Sequence, residues 1–87
     1  MLAAGVEAVE MDLDAARDEA RLRAADAHES ARAVHTQTAD LLEHHAVELA
    51  AEGREPEAER YRERAENHRE RAQQEHQQAE QVRHRAD

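Results

Sequence analysis

Residues 58–86 read AERYRER, AENHRER, AQQEHQQ and AEQVRHR, followed by a last alanine. Alanine returns at every seventh position of this stretch, at Ala58, Ala65, Ala72, Ala79 and Ala86. A larger side chain stands three residues after each of the first four alanines, namely Tyr61, His68, Glu75 and Val82. A seven-residue repeat keeps one narrow face of a helix towards a partner helix, and alanine there lets two backbones approach closely. We therefore predict a helix that packs along this alanine seam.

The residues just before the repeat, Gly53-Arg54-Glu55-Pro56, form the strongest helix stop in the chain. Glycine just past a helix end readily adopts the left-handed conformation. Proline in the first turn of a helix costs no hydrogen bond, because the N–H groups of that turn have no partner within the helix. A four-residue link between two helices makes them antiparallel neighbours. The sequence thus predicts one all-α domain, a long antiparallel helical hairpin with helices at about 3–52 and 57–86 and a turn at 53–56.

The first helix is predicted from a helical spacing of small and apolar residues. These recur every three or four positions at Val6, Val9, Leu13, Ala16, Ala20, Ala24, Ala27, Ala31, Val34, Thr38, Leu41, His45 and Leu49. Folding the chain at the turn would place Leu41 opposite His68 and Val34 opposite Glu75. A capping box formed by Asp26 and Glu29 would allow a break. The flanking alanines favour one continuous helix instead.

Composition predicts a thin core rather than a disordered chain. Of the 34 apolar residues among 87, 20 are alanine, and there is no Ile, Phe or Trp. Charged residues make up 38% of the chain, a fraction that disordered segments also reach. However, the chain has only two glycines and one proline, and the good helix formers Ala, Glu, Arg and Gln dominate it.

Charge and missing residue types argue against several kinds of partner and cofactor. The net charge is −9, and the arginines of the second half alternate with glutamates, with Tyr61 as the one aromatic residue that could stack on a base, so we expect no nucleic-acid binding. The absence of cysteine excludes disulfides and thiolate metal sites. The N-terminus lacks a basic signal-peptide region, and no apolar run is long enough to cross a bilayer. We therefore expect a cytoplasmic protein without membrane contact.

The turn region resembles the tetratricopeptide repeat, a helix-turn-helix module that binds peptides. The resembling residues are Leu42, Ala46, Leu49, Gly53, Ala58 and Ala65, with Tyr61 one position from the large aromatic of the family. This resemblance implies a peptide-binding adaptor, although repeats of this kind are usually stacked in several copies. The whole chain also resembles the short, Ala/Arg/Glu/His-rich helical-hairpin proteins of high-GC bacteria, a resemblance that implies no activity.

Histidine is the residue type that points to chemistry. Seven histidines occur, whereas about two are expected for this length. His76, Glu80 and His84 are spaced by four residues and therefore share a helix face, as a zinc or copper site requires. His45 and His68 are predicted to lie about one turn apart in the helix interface. For all five residues, a solvated or hydrogen-bonded role is the simpler interpretation, and we predict no resident metal or other cofactor. Protonation of interface histidines near pH 6 is a further hypothesis.

The stripe before residue 20 extends past the reach of the second helix, and this predicts self-association. A homodimer would bury both overhangs in a four-helix bundle or coiled coil. The predicted interface residues are Val6, Val9, Leu13, Ala16, Ala20, Val34, Leu41, Tyr61, Ala65, His68, Ala72, Ala79 and Val82. We expect a non-enzymatic structural or protein-interaction module whose main partner is itself and whose acidic face suits another protein. The alternatives are a small histidine-based metal-binding or metal-sensing bundle and a tetratricopeptide-like adaptor.

Overall fold

The chain folds into two helices joined by a tight turn. The structure, a computed structural model, describes the backbone of residues 2–85 and the side chains of residues 12–85. Helix α1 spans Leu2–Ala51 and helix α2 spans Glu55–His84, and no strand occurs in the described backbone. Helix α1 runs through Asp26 without a break. The prediction of a long antiparallel helical hairpin is thus confirmed, with α2 beginning two residues earlier than expected.

The turn is a glycine-terminated helix end. Gly53 has φ +78°, as the stop signal predicts. The Arg54 N–H donates to the Leu49 carbonyl (2.9 Å), and the Gly53 N–H donates to the Ala50 carbonyl (3.0 Å). These two bonds form a Schellman motif, which satisfies carbonyls that the end of α1 would otherwise leave unpaired. Pro56 lies in the first turn of α2, where its missing N–H costs no helix bond.

The alanine seam of α2 is the face that packs on α1. Ala58, Ala65, Ala72 and Ala79 are the buried residues of α2, whereas Ala86 lies outside the described residues. On α1 the buried residues are again almost all alanine: Ala25, Ala39, Ala46 and Leu49. Leu49 packs with Ala46 and Ala58, and Ala50 and Tyr61 cover this small cluster. The apolar core is therefore concentrated next to the turn, and the rest of the seam is alanine and polar groups.

The face of α1 that contacts α2 differs from the predicted one. It contains Ala25, His28, His35, Ala39 and Ala46, each of which follows a member of the predicted stripe by one residue. One residue corresponds to a rotation of about 100° around the helix axis. The reason is size, because alanine fits where the two backbones come closest and Val34 or Leu41 would not. The part of the predicted stripe from Leu13 to Leu41 is therefore left off the contact with α2, whereas Leu49 at its end packs on Ala58.

The pairing along the hairpin is shifted as well. His68 lies opposite His35 and not Leu41, and Glu75 lies opposite His28 and not Val34. Each observed partner lies six residues earlier in α1 than the predicted one. The tight Schellman turn accounts for part of this shift, because α2 starts at Glu55 and folds back at once. The other part follows from the rotated face of α1.

The molecule is a thin rod. Its extents are 78 × 17 × 11 Å, and the longest is set by the 50 residues of α1. Helix α2 has 30 residues, so the first part of α1 has no partner helix within the chain. Every described side chain from Asp12 to Ala20 is exposed, which includes Leu13, Ala16 and Ala20 of the predicted interface. The side chains of Val6 and Val9 lie outside the described residues.

Candidate functional site

Two polar layers interrupt the alanine seam. In the first layer the Nδ1 atoms of His35 and His68 are 3.0 Å apart, and their rings are 5.2 Å apart between centroids. One imidazole must therefore donate a hydrogen bond to the other, which requires that at least one of the two nitrogens carries no proton. Burial lowers the pKa of His68, and the positive charges of His35, Arg71 and Arg64 lower it further. The surroundings of His68 thus favour its neutral form.

The second layer joins a histidine to a carboxylate. His28 Nδ1 lies 2.5 Å from Glu75 Oε2, and both side chains are partly buried. The carboxylate accepts, so the imidazole nitrogen donates. The two layers lie one heptad apart on each helix, which is about 10 Å along the axis. Next to them, Arg69 of α2 donates to Glu43 (2.7 Å) and Asp40 (3.3 Å) of α1 and closes one side of the seam.

A third polar group lies at the edge of the seam and contains Glu29, His76 and Glu80, which we call the Glu29 cluster. One potential metal-ligand atom of each residue lies within 4.8 Å of the others. His76 Nδ1 is 3.0 Å from Glu29 Oε1, so α1 and α2 meet here through a direct hydrogen bond. His84 Nε2 lies 3.2 Å from Glu80 Oε2 on the next turn of α2. All three members of the cluster are partly buried.

Two arginines flank the Glu29 cluster. Arg83 donates to Glu29 (3.3 Å) and to Glu80 (3.0 Å), and Arg32 donates to Glu29 (3.2 Å). The hydrogen bond from His76 lowers the pKa of the Glu29 carboxyl, and the bonds from Arg32 and Arg83 lower it further. Burial raises this pKa, but by less than the His76 bond lowers it. Glu29 is therefore a carboxylate at neutral pH and has more than one positively charged neighbour.

The histidines singled out from the sequence are distributed over different surroundings. His76, Glu80 and His84 lie together, as their spacing predicted, but Glu29 of α1 joins them. His68 and His45 do not meet, because His68 contacts His35 while His45 packs edge-on against Tyr61 with centroids 4.6 Å apart. The predicted proximity of His45 and His68 was therefore wrong, and the rotated face of α1 is the cause.

Sequence reasoning missed three participants: His28, His35 and Glu29. A signal for two of them was present, because stepping back from Leu49 by alternate intervals of three and four residues reaches Ala46, Leu42, Ala39, His35, Arg32, His28 and Ala25. That stripe has the same period as the predicted one, and it places Ala25, Ala39 and Ala46 where α1 comes closest to α2. Glu29 flanks it and could be placed only once the pairing of the helices was known.

The predicted face of α1 forms an exposed strip, which we call the open stripe. Its members recur every seventh residue at Leu13, Ala20, Ala27, Val34 and Leu41. The three larger side chains are 51%, 60% and 65% exposed, in chain order. In the intervening positions, Ala24 is exposed and Ala31 and Thr38 are partly buried. The open stripe thus has the composition of a helix-packing seam without a helix on it in the single chain.

A scan against protein-family models and searches of curated proteins and of solved structures find no match to this chain. Neither helix contains, within the described residues, an apolar stretch long enough to cross a membrane.

Proposed function

We propose that this protein is a non-enzymatic interaction module that self-associates, and that the open stripe of α1 forms the contact between two copies. The observation that supports this most is the exposure of Val34 and Leu41 at heptad spacing on a helix that already packs by heptads. A helix with two seams about 100° apart can contact two neighbours at once, as the helices of a four-helix bundle do. In α1, helix α2 packs on one seam, and the second copy of the chain would pack on the open stripe.

The length of the open stripe supports a second copy as the occupant. From Leu13 to Leu41 it extends about 42 Å, and it reaches into the part of α1 that α2 does not cover. A two-fold axis that overlaps two such stripes over this whole length places Val34 of one copy against Ala20 of the other, and Leu13 against Leu41. A short peptide would cover only a fraction of this length.

The apolar surface on the open stripe is sufficient for a modest affinity. Burial of a whole Leu or Val side chain contributes about 1.5–3 kcal/mol, and Leu13, Val34 and Leu41 are already about half-buried or less. Six such side chains in a dimer would contribute about 6 kcal/mol, to which the alanines add. Association itself costs at least about 4 kcal/mol in lost freedom of motion. The difference is about 2 kcal/mol before the alanines are counted, and a millimolar dimer needs about 4 kcal/mol. We therefore expect a weak dimer that forms at millimolar concentration.

Light scattering across a concentration series tests this proposal. The wild-type chain should approach twice its mass of 9.9 kDa, and Leu41→Asp or Leu13→Asp should shift the equilibrium to the monomer. Val47→Asp is the matched control, because Val47 is as exposed as Leu41 but lies off the open stripe. A monomer of full helicity at all concentrations would refute self-association. A dimer that Val47→Asp disrupts, but Leu41→Asp does not, would refute the contact proposed here.

Charge adds little to the proposed contact between copies. Arg83 could pair with the acidic first 20 residues of a second copy, but it binds Glu29 and Glu80 of its own chain. Exposed ion pairs contribute less than about 1 kcal/mol, so apolar burial remains the main contribution to the dimer. A further protein partner and the tetratricopeptide-like adaptor remain predictions, without a contact that favours either.

A further inference from the structure

We propose that Glu29, His76 and Glu80 bind a divalent transition-metal ion, with zinc as the best fit and a water molecule as the fourth ligand, while His84 holds Glu80 through a hydrogen bond. The proposed site differs from the one considered on sequence grounds because it takes a ligand from each helix. Glu29 belongs to α1, and His76 and Glu80 belong to α2. A bound ion would thus connect two segments 47 residues apart in the chain, those of Glu29 and His76.

The donor set suits zinc. One imidazole nitrogen, two carboxylate oxygens and a water molecule fit a tetrahedral site, with protein-ligand bonds of about 2.0–2.2 Å. The donors in such a site lie about 3.3 Å from one another, by the same bond lengths. The distance from His76 to Glu29, 3.0 Å, is already close to this value. The remaining gaps are at most 4.8 Å within the Glu29 cluster, which small rotations of the long Glu side chains can close.

The helices position these donors, not loops. His76 and Glu80 lie on successive turns of α2, and Glu29 follows directly after His28 of the second polar layer. The hydrogen bond from His28 to Glu75 therefore helps to hold α1 and α2 in the pairing that brings Glu29 to His76. The cluster is partly buried, which reduces competition from water for the ligands.

Arg83 and Arg32 determine the affinity. In the metal-free chain these two guanidinium groups compensate the charge of the carboxylates, and Arg83 bonds to both Glu29 and Glu80. An incoming cation must displace Arg83 from both carboxylates. We therefore expect a moderate affinity in the wild type and a higher one when Arg83 is replaced. If Arg83 did not compete with the ion, its replacement would leave the affinity for the ion unchanged.

Calorimetric titration of the chelator-treated full chain with zinc chloride tests the proposal. One zinc ion should bind per chain, and the temperature of unfolding measured by circular dichroism should rise. Glu29→Gln and His76→Gln should each lower the affinity at least tenfold, since even indirect support of a metal site is worth about tenfold or more. Arg83→Gln should raise it. His44→Gln is the control, because His44 also pairs with a glutamate, Glu48, but only within α1.

Three results would refute the site. The first is the absence of saturable binding with millimolar zinc. The second is binding that requires His76 but not Glu29, which would describe a one-helix surface site. The third is zinc-dependent growth in mass by light scattering, which would describe a bridge between copies. Should Glu29→Gln lower helicity, Glu80→Gln makes the same test while the contacts from His76 and the two arginines to Glu29 stay in place.

Discussion

At the scale of single residues, Gly53 is the position where the hairpin depends most on one amino acid. Its φ of +78° is the left-handed conformation that a glycine C′ position needs, and a Cβ placed there would meet nothing within 4 Å. A substitution is therefore opposed by backbone strain alone and not by a clash with neighbours. This makes the position a clean measure of turn energetics.

We expect Gly53→Val to lower the free energy of unfolding by more than about 1 kcal/mol, because a β-branched residue is strained at positive φ. Gly53→Asn should cost less, since asparagine adopts this conformation more readily. Urea unfolding followed by circular dichroism measures both changes. Equal stabilities for the wild type and the valine variant would show that the turn is not held in this conformation in solution.

Histidine 68 gives the seam a predicted pH response. Burial and the nearby positive charges of His35, Arg71 and Arg64 lower its pKa below the ordinary 6.5. As the pH falls through 6.5, the unfolded chain therefore binds the proton before the folded chain does, and this layer loses stability. Above that pH the contribution is fully present. The chain contains six other histidines, so the response of this layer must be isolated by a variant.

His68→Leu removes the titrating group and keeps an apolar side chain in the seam. The stability of the wild type relative to this variant should decrease when the pH is lowered from 7.5 to 5.5. His44→Gln, which removes a histidine outside the seam, should leave that decrease in place. Chemical unfolding at a series of pH values measures both differences. A wild-type stability that rises relative to His68→Leu on acidification would contradict the assigned environment.

At the scale of the helices, the alanine seam sets the distance between α1 and α2. Ala58, Ala65 and Ala79 have no exposed surface, and Ala25 and Ala39 of the facing helix have none either. At these five positions, close contact of the two backbones leaves no space for a longer side chain, and the longer side chains of the two polar layers lie between them. The helices are therefore held by many small contacts and not by a few large side chains, and Leu49 is the largest residue in the buried set.

We expect Ala65→Leu to destabilise the hairpin by about 1–3 kcal/mol, since it forces the helices apart in a fully packed site. The matched control is Ala33→Leu on the exposed surface of α1, where leucine has a similar helix propensity and meets no partner helix. Thermal unfolding by circular dichroism compares the two variants. A leucine at position 65 that leaves the stability unchanged would show that the seam is looser than described here.

The helices also show which part of the fold can be predicted from sequence. The turn and the seam of α2 depend on local signals, a glycine, a proline and a strict heptad, so they can be predicted from residues 53–86 alone. The packed face of α1 depends on a competition between two stripes with the same period and one residue apart. Val34 and Leu41 make the predicted stripe more hydrophobic, while Ala39 and Ala46 allow the other stripe to pack more closely on α2. Glu29 lies next to His76 only because the second stripe packs on α2.

At the scale of the whole molecule, the extended shape governs how the chain behaves in solution. A compact domain of 87 residues would have a radius of gyration of about 12 Å, and an unfolded chain of this length about 29 Å. The hairpin has 21.5 Å, which lies between the two. A small-angle scattering radius taken alone would thus resemble that of a partly denatured chain, and a size-exclusion column would report too large a mass. The distance distribution separates the cases, since a rigid rod has a long, linear tail that ends near its maximum dimension of about 78 Å.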